Sequence, residues 1–149
     1  MNNINIAKNE PIFSISAAAR LLNISVHTLR MYERQGLFIP YKKRSNQRLF
    51  SKDDIERIQC IRNAINEAKI SINGIKTIYS LIPCWDIVKC SAEDRKVCKA
   101  YSESHEPCWT YNHDETVCEK RECRTCEVYS KYSECGMIKE LLKSISKQG

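Results

Sequence analysis

The sequence lacks any long apolar run, although apolar residues make up 42% of its 149 residues. No stretch approaches the roughly 20 consecutive apolar residues of a membrane-spanning helix, so we expect no transmembrane segment. The first eleven residues carry no apolar run behind a basic start, so we also expect no secretory signal. The sequence contains no glycine-rich loop that would cradle a phosphate and no recognisable nucleophile paired with a base. It therefore predicts a protein that is not an enzyme.

Cysteine and acidic residues are both scarce in the first 82 residues. Only one of the nine cysteines, Cys60, lies there, and 13 Lys and Arg face 6 Asp and Glu. Residues 83–149 hold the other eight cysteines and are nearly neutral, with 11 basic residues against 12 acidic ones. This asymmetry predicts a polyanion-binding domain joined to a second module.

Two short helices are predicted near the start of the chain. Ser14 can cap the first helix, and Asn23 suits the left-handed position that ends it. Ser25 can cap the second helix, which Gly36 closes. The apolar positions Ile15, Ala18, Ala19 and Leu22 have helical spacing, as do Val26 and Leu29. Two helices joined by an Asn-Ile-Ser turn are the outline of a helix-turn-helix.

A basic segment without acidic residues follows the second helix. From Tyr41 to Lys52 there are five cations, and apolar residues 37–40 and 49–50 flank the charged stretch. This pattern predicts a basic hairpin, or wing, beside the second helix. A charge run is usually a solvated loop, but its position next to a candidate recognition helix favours contact with phosphates.

Two further helices are predicted after the wing. Ser51 and Asp54 have the spacing of a capping box at the start of the third helix. The inner face of this helix is predicted to carry Ile55, Ile58, Ile61 and Ile65, and the outer face Arg57 and Arg62. Cys60 is predicted to be a small buried side chain that belongs to no metal site. Ser71 can cap a fourth helix that ends before Pro83.

The stretch from Phe13 to Leu81 resembles the winged helix-turn-helix of the MerR family of bacterial transcription regulators. The motifs that carry the resemblance are residues 25–33 (SVHTLRMYE), Gly36-Leu37, Pro40, residues 48–51 (RLFS), Asp54-Ile55 and residues 70–75 (ISINGI). Many members have glycine in the wing and before the fourth helix, where this chain has Ser45-Asn46-Gln47 and Lys69. The Ser-Asn-Gln-Arg wing is more similar to the heat-shock-repressor and glutamine-synthetase-repressor branches than to the mercury-sensor branch.

The resemblance implies a set of DNA-binding residues. A recognition helix enters the major groove by its amino-terminal end, which puts Ser25, His27 and Thr28 nearest the base edges. The residues expected at phosphates or sugars are Arg30 and Tyr32 on the helix and Lys42, Lys43, Arg44 and Arg48 on the wing. Two alternatives stay open, a core aromatic role for Tyr32 and a plain exposed position for His27.

The second half contains a cysteine pattern with very few aliphatic residues. The tripeptide Pro-Cys-Trp occurs at residues 83–85 and again at 107–109, and Val97, Val117 and Val128 are almost the only aliphatic side chains from 91 to 135. Such a segment cannot offset its ordering entropy by burial, so disulfides or metal must hold it together. In a reducing cytosol, cysteine clusters more often bind metal. The candidate ligands are Cys84, Cys90, Cys98, Cys108, Cys118, Cys123, Cys126 and Cys135.

Eight thiolates would make two four-sulfur sites, each holding zinc or an iron–sulfur cluster. We favour zinc, with an iron–sulfur cluster as the alternative, since residues 118–126 also match the spacing of plant-type ferredoxins. His105 or His113 could replace one cysteine, and disulfide redox sensing stays open. The tail also resembles the cysteine-rich module called two-CW, which implies ligation without naming the metal.

The whole sequence predicts a mainly α protein of four segments. These are a flexible N-terminal arm (1–11), a MerR-type winged helix-turn-helix (12–82), a cysteine-rich, metal-stapled module (83–135) and a short amphipathic helix with a tail (136–149). We expect a cytoplasmic regulator that binds double-stranded DNA as a homodimer, through Ile138, Leu141 and Leu142, and that contacts RNA polymerase at the promoter. The alternatives are a metal- or redox-active protein whose helices dock a partner, and an excisionase-like architectural DNA-binding protein.

Overall fold

A computed structural model describes residues 5–132 and residue 143, and the chain divides into two compact units, residues 1–69 and residues 70–149. The described residues are about half helical, with one small sheet. The first unit contains β1 (Phe13–Ser14), α1 (Ile15–Leu22), α2 (Val26–Arg34), β2 (Tyr41–Lys42), β3 (Arg48–Phe50) and α3 (Lys52–Asn66). The second contains α4 (Ile72–Ser80), α5 (Cys84–Ile87), α6 (Ala92–Val97), α7 (Lys99–Ser102), 3₁₀ turns at Cys108–Thr110 and Cys123–Thr125, and a π-helical turn at Val128–Tyr132.

Serine side chains cap each of the four predicted helices. The Oγ atoms of Ser14, Ser25, Ser51 and Ser71 each accept a hydrogen bond from the backbone N–H three residues later. At α3 the carboxylate of Asp54 also accepts from the Ser51 N–H at 2.8 Å, which completes the capping box. Each such cap contributes on the order of 1 kcal/mol. The four predicted starts are therefore confirmed.

The sheet of the first unit has the strand order β1-β3-β2, with both pairs antiparallel. In the wing hairpin Tyr41 lies opposite Leu49 and Lys42 opposite Arg48, which confirms the predicted hairpin. On the other edge of β3, Phe13 lies opposite Phe50. The sequence did not predict β1, because a two-residue strand is too short to show alternation.

The wing tip adopts a left-handed backbone at a residue other than glycine. The N–H of Lys43 donates to the Gln47 carbonyl and the N–H of Asn46 donates to the Lys43 carbonyl, each at 2.9 Å. Asn46 has φ 67°, and Lys69, just before α4, has φ 57°. They lie in the wing and just before the fourth helix, two regions where the resemblance noted above implies glycine in many members. Asparagine tolerates this conformation better than most residues, so the turn forms without glycine.

The core of the first unit is built from side chains that its helices and β3 bury. Leu29, Leu37, Phe50 and Ile58 are completely buried. The rings of Phe38 and Phe50 pack with their centroids 5.8 Å apart. Full burial of one such side chain is worth about 1.5–3 kcal/mol. The first unit therefore has an apolar core of its own.

Two predictions for α3 are wrong. Arg57, expected on the outer face, is only 7% exposed and has polar or ionic partners. Cys60 is half-buried and disulfide-bonded, whereas a plain buried thiol was expected. Arg62 is also half-buried, and its Nη1 donates to the Tyr32 hydroxyl at 3.3 Å. The isoleucine spacing identified the buried face of α3 but not how far the arginine stems fold back over it.

The second unit has a smaller apolar core than the first. Ile75, Tyr79 and Ile82 are buried there, and in the cysteine-rich part Ala100, Val128 and Tyr129 are buried. Lys76 on α4 forms an ion pair with Glu106 at 2.8 Å. After α4 the described part of the unit consists of short helices and turns, as the low aliphatic content after residue 90 leads one to expect.

Several predictions concern the ends of the chain. Cys135 and the dimer contacts Ile138, Leu141 and Leu142 lie outside the described residues. Within the predicted N-terminal arm, the Lys8 carbonyl accepts from the Asp53 N–H at 3.0 Å. Across residues 5–132, every helix is too short or too polar to span a membrane.

The left-handed turn at Asn46 generates a stability prediction. A β-branched residue strongly disfavours positive φ, so Asn46→Val should lower the free energy of unfolding by about 1–2 kcal/mol. Asn46→Gly should be tolerated. The matched control is Ser45→Val at the neighbouring exposed position, where φ is not positive. Urea unfolding of the three variants measures the effect, and equal losses for the two valine variants would contradict it.

Candidate nucleic-acid interface and thiol cluster

The amino-terminal end of α2 presents polar groups at the surface. Ser25 Oγ accepts from the Thr28 N–H at 3.0 Å and lies 2.9 Å from the Thr28 hydroxyl, so the two hydroxyls are held side by side. His27 is exposed between them. The first turn of a helix also offers backbone N–H groups and the positive end of the helix dipole, which favour a phosphate. This end of α2 can therefore donate to both base edges and phosphates.

The wing carries its positive charge on exposed side chains. Lys42, Lys43 and Arg44 are all exposed, and the segment from 41 to 52 contains no acidic residue. Lys42 lies on β2, while Lys43 and Arg44 lead into the tip turn. Nothing on the segment itself neutralises these cations, so the wing is a positive surface for a polyanion.

Arg48 connects the wing to α2. Its Nε donates to Glu33 Oε1 and its Nη2 donates to Glu33 Oε2, the latter at 2.9 Å. This two-point pairing is the strong form of the arginine–carboxylate interaction. The hydrogen bond from Arg48 to Glu33 raises the pKa of the guanidinium. The predicted DNA contact Arg48 is thus engaged in positioning the wing, with Nη1 still able to donate elsewhere.

A cavity of about 310 Å³ lies between the start of α1, α2 and the wing. Its lining includes Arg30 from α2 and Arg48 from β3, together with Ser14 and Ser16 from the start of α1. Two predicted phosphate contacts from different elements therefore face the same space. That arrangement suits an anion between helix and wing.

Tyr32 is placed in the core. The side chain is 3% exposed, and its hydroxyl accepts the hydrogen bond from Arg62. This geometry favours the alternative of a core aromatic over a direct contact with DNA. A tyrosine four residues after Thr28 on the same short helix gives no sequence signal that separates the two roles.

Seven cysteines of the second unit line one cavity of about 40 Å³. They are Cys84, Cys90, Cys98, Cys108, Cys118, Cys123 and Cys126, all half-buried and all free thiols. Their sequence positions span more than forty residues, and five separate segments bring them together. The predicted division into two four-sulfur sites is not visible as two cavities. We call this set the thiol cluster.

The thiols of the cluster influence one another. A hydrogen bond from Cys108 lowers the pKa of Cys84, and the same bond raises the pKa of Cys108. Burial raises the pKa of Cys118 to about 11, and burial also raises the pKa of Cys123. Cys108, Cys118 and Cys123 therefore favour the protonated form, and a bound metal would have to displace their protons.

The sulfur atoms of the thiol cluster do not converge on a common centre. Among residues 5–132, no three His, Cys, Asp or Glu side chains are arranged to hold a metal ion. One imidazole lies beside the thiols, since His113 also lines the cavity, with Nδ1 4.0 Å from Cys98 Sγ. His105, the other candidate substitute ligand, is exposed.

Aromatic rings pack around the cavity. Trp109 lies between Tyr79 and Tyr129, with ring centroids at 5.4 Å and 5.1 Å. Trp85 meets Tyr101 edge to face at 5.2 Å. Both tryptophans line the cavity. The two Cys-Trp dipeptides thus each supply one thiol and one ring to the lining of the same cavity.

Two positioning residues were missed from the sequence. Glu33 holds Arg48, and Arg95 hydrogen-bonds Cys90 and donates to the Trp85 carbonyl at 3.5 Å. Glu33 lies fifteen residues before Arg48, a separation that no local pattern marks. Arg95 lies on α6, which also carries Glu93 and Asp94. A basic residue in the last turn of a helix is common because it interacts favourably with the helix dipole, so the sequence assigns Arg95 no special role.

Comparison with known proteins agrees with the geometry of the first part of the chain. Residues 13–81 match the family of MerR HTH family regulatory proteins. These residues are thus similar to a MerR-type helix-turn-helix domain. The match covers α1, α2, the wing, α3 and α4, and leaves the thiol cluster outside it.

The individual relatives also match only about half of this chain. Identity is 32% over 80 residues with a protein named heat shock protein HspR from Streptomyces coelicolor, covering 54% of this chain and 53% of the relative. Identity is 28% over 71 residues with the HTH-type transcriptional regulator GlnR of Bacillus anthracis, and the aligned region covers 48% of this chain and 54% of the relative. Identity is 38% over 68 residues with a ZntR homolog of Haemophilus influenzae, and the aligned region covers 45% of this chain and 50% of the relative. The chain spans about half the length of these curated relatives.

Proposed function

We propose that this chain is a DNA-binding transcriptional regulator of MerR type whose second unit binds metal through the thiol cluster. The observation that carries the first part is the position of the exposed basic wing. The Arg48–Glu33 pair fixes it against α2, near the carboxyl end of that helix, within a domain that matches the family. Helix and wing together offer donors to base edges and positive charge to the flanking phosphates.

The roles follow from exposure and partners. Ser25, His27 and Thr28 at the end of α2 read base edges, and the wing cations Lys42, Lys43 and Arg44 contact phosphates. Arg30 and Arg48 line the cavity between helix and wing, and there they contact the same phosphate. Tyr32 acts indirectly, because its burial and its bond to Arg62 fix α2 against α3.

Regulation is favoured over the other functions considered. A protein whose helices dock a protein partner has no need of an exposed basic wing without acidic residues. An excisionase-like architectural protein shares the winged fold but has no need of a seven-thiol cavity. The relatives named as transcriptional regulators point the same way and away from an enzyme.

The proposed partner is double-stranded DNA, bound by a homodimer. One short winged domain contacts too little DNA for high specificity, so two copies on a palindromic site in the cytoplasm are expected. Contact with RNA polymerase at the promoter belongs to the same proposal. The predicted dimer contacts near residue 140 lie outside the described residues.

The metal-binding part of the proposal depends on the chemistry of the thiol cluster. Seven thiols and one imidazole line a single small cavity, and sulfur and nitrogen are the donors that zinc and iron–sulfur clusters take. The apolar core beside them is small, so a metal would supply cohesion that burial does not. Since no three side chains converge among the described residues, the thiols must draw closer when they bind.

Zinc remains the favoured metal, and an iron–sulfur cluster is the alternative. Zinc would supply structural cohesion without redox chemistry, whereas a cluster would add a redox state that DNA binding could follow. The chain's own residues would hold the metal through Cys84, Cys90, Cys98, Cys108, Cys118, Cys123 and Cys126. Arg95 and the two tryptophans keep these thiols half-buried.

DNA binding is tested by a salt titration. If wing and helix neutralise phosphates, affinity should fall with salt with a log–log slope near −0.9 per neutralised phosphate. Lys43→Ala should remove about one unit of slope and weaken binding to all sequences alike. Thr28→Ala should instead change the preference between sites. Fluorescence anisotropy with two duplex sequences measures both effects.

The matched control for the wing is Arg34→Ala. Arg34 is an exposed cation at the carboxyl end of α2 and is not among the proposed DNA contacts. Its removal should leave the slope unchanged. A slope that falls equally for both variants would show a diffuse charge effect instead of a wing contact. Absence of any DNA binding would overturn the regulator proposal.

Metal binding is tested by the metal content of anaerobically purified protein. We expect zinc or iron in the wild type, and Cys123→Ser or Cys126→Ser should remove one site's content because each deletes a thiolate. The matched control is Cys60→Ser, measured under reducing conditions, since Cys60 lies in α3 in the other unit. A metal-free wild-type protein would refute this part of the proposal and leave the DNA-binding part standing.

A further inference from the structure

His113 is the one imidazole that lines the cavity of the thiol cluster. Its Nε2 lies 2.8 Å from the carbonyl oxygen of Cys108. A carbonyl oxygen only accepts hydrogen bonds, so Nε2 must carry the proton of the neutral ring. The lone pair of the imidazole is therefore on Nδ1.

Nδ1 is the nitrogen that faces the thiols. It lies 4.0 Å from Cys98 Sγ. Around a tetrahedral zinc ion, bond lengths of about 2.0–2.1 Å to nitrogen and 2.3 Å to sulfur place the two donor atoms about 3.6 Å apart. The observed separation exceeds that spacing by only a few tenths of an ångström, so a small approach would let both atoms bind one ion.

The segment around His113 is anchored to the thiol cluster at several points. The Thr116 hydroxyl donates to the His113 carbonyl at 2.7 Å, and the Cys118 N–H donates to the same hydroxyl at 3.2 Å. The ring is held at its far nitrogen by the backbone of Cys108. Metal-binding histidines typically have such a carbonyl at the nitrogen that does not bind, which fixes the tautomer and the ring orientation.

We propose that His113 is a metal ligand through Nδ1, at the same centre as Cys98. This inference rests on the proposed metal binding by the thiol cluster. A plain half-buried histidine bonded to a thiol is the competing explanation. An imidazole in place of a thiolate makes the donor set one negative charge smaller, which favours a divalent ion bound by mixed nitrogen and sulfur.

Nuclear magnetic resonance with cadmium-113 as the probe tests the assignment. The full chain, reduced and labelled with nitrogen-15 in its histidines, is loaded with cadmium, which takes nitrogen and sulfur ligands. The chain has three histidines, His27, His105 and His113. We expect scalar coupling from cadmium to one imidazole nitrogen, which is Nδ1 of a ring that keeps its Nε2 proton. The coupling should vanish in His113→Ala and persist in His105→Ala, the exposed matched control from the same unit.

The outcomes separate this inference from the proposed function. Cadmium bound to the chain without any coupled imidazole would overturn the role of His113 and leave metal binding by the thiols standing. Coupling at Nε2, or at His105, would also overturn it. A chain that binds no cadmium would overturn both proposals. The decisive signal comes from the wild type, so it does not depend on the folding of a variant.

Discussion

Seven thiols share one small cavity in the second unit, and the organisation of that unit depends on them. Between residues 91 and 132 its aliphatic side chains are too few to form a core of ordinary size, and the buried residues Val128 and Tyr129 follow Cys126 closely in sequence. Short helical turns bring each cysteine to the cavity, and the aromatic rings fill the space around it. We propose that what the sulfur atoms bind supplies the cohesion that burial lacks in this part of the chain.

The first unit, in contrast, is held together by helix caps, apolar packing and an ion pair. Serine caps start its helices, Leu29 and Phe50 belong to a fully buried core, and the Arg48–Glu33 pair fixes the wing. None of these interactions involves a metal. We therefore expect the unit that we propose to bind DNA to fold without metal, so that loss of metal from the second unit would leave the first unit folded.

Much of the first unit could be predicted from the sequence because its signals are local. The capping serines and Asn23 each act within three or four residues, and the structure shows them in those roles. The burial of Arg57, the partner of Arg48 and the disulfide bond of Cys60 depend on residues that become neighbours only in the folded chain. Local spacing carries no information on such contacts.

The thiol cluster could be predicted in composition but not in arrangement. Eight cysteines amid few aliphatics indicated ligation, whereas their gathering around one cavity depends on the path of five segments. His113 shows the same limit. A lone histidine in a polar loop is usually exposed, as His105 is, and only the carbonyl of Cys108 distinguishes the two.

The central claim is that sulfur ligation holds the second unit while packing holds the first. Hydrogen–deuterium exchange of the reduced full chain, with and without a metal chelator, tests it most directly. We expect chelation to abolish amide protection between residues 84 and 132 and to leave α1, α2 and α3 protected, because only the second unit lacks a sufficient apolar core. Unchanged protection across residues 84–132 after complete metal removal would contradict the claim.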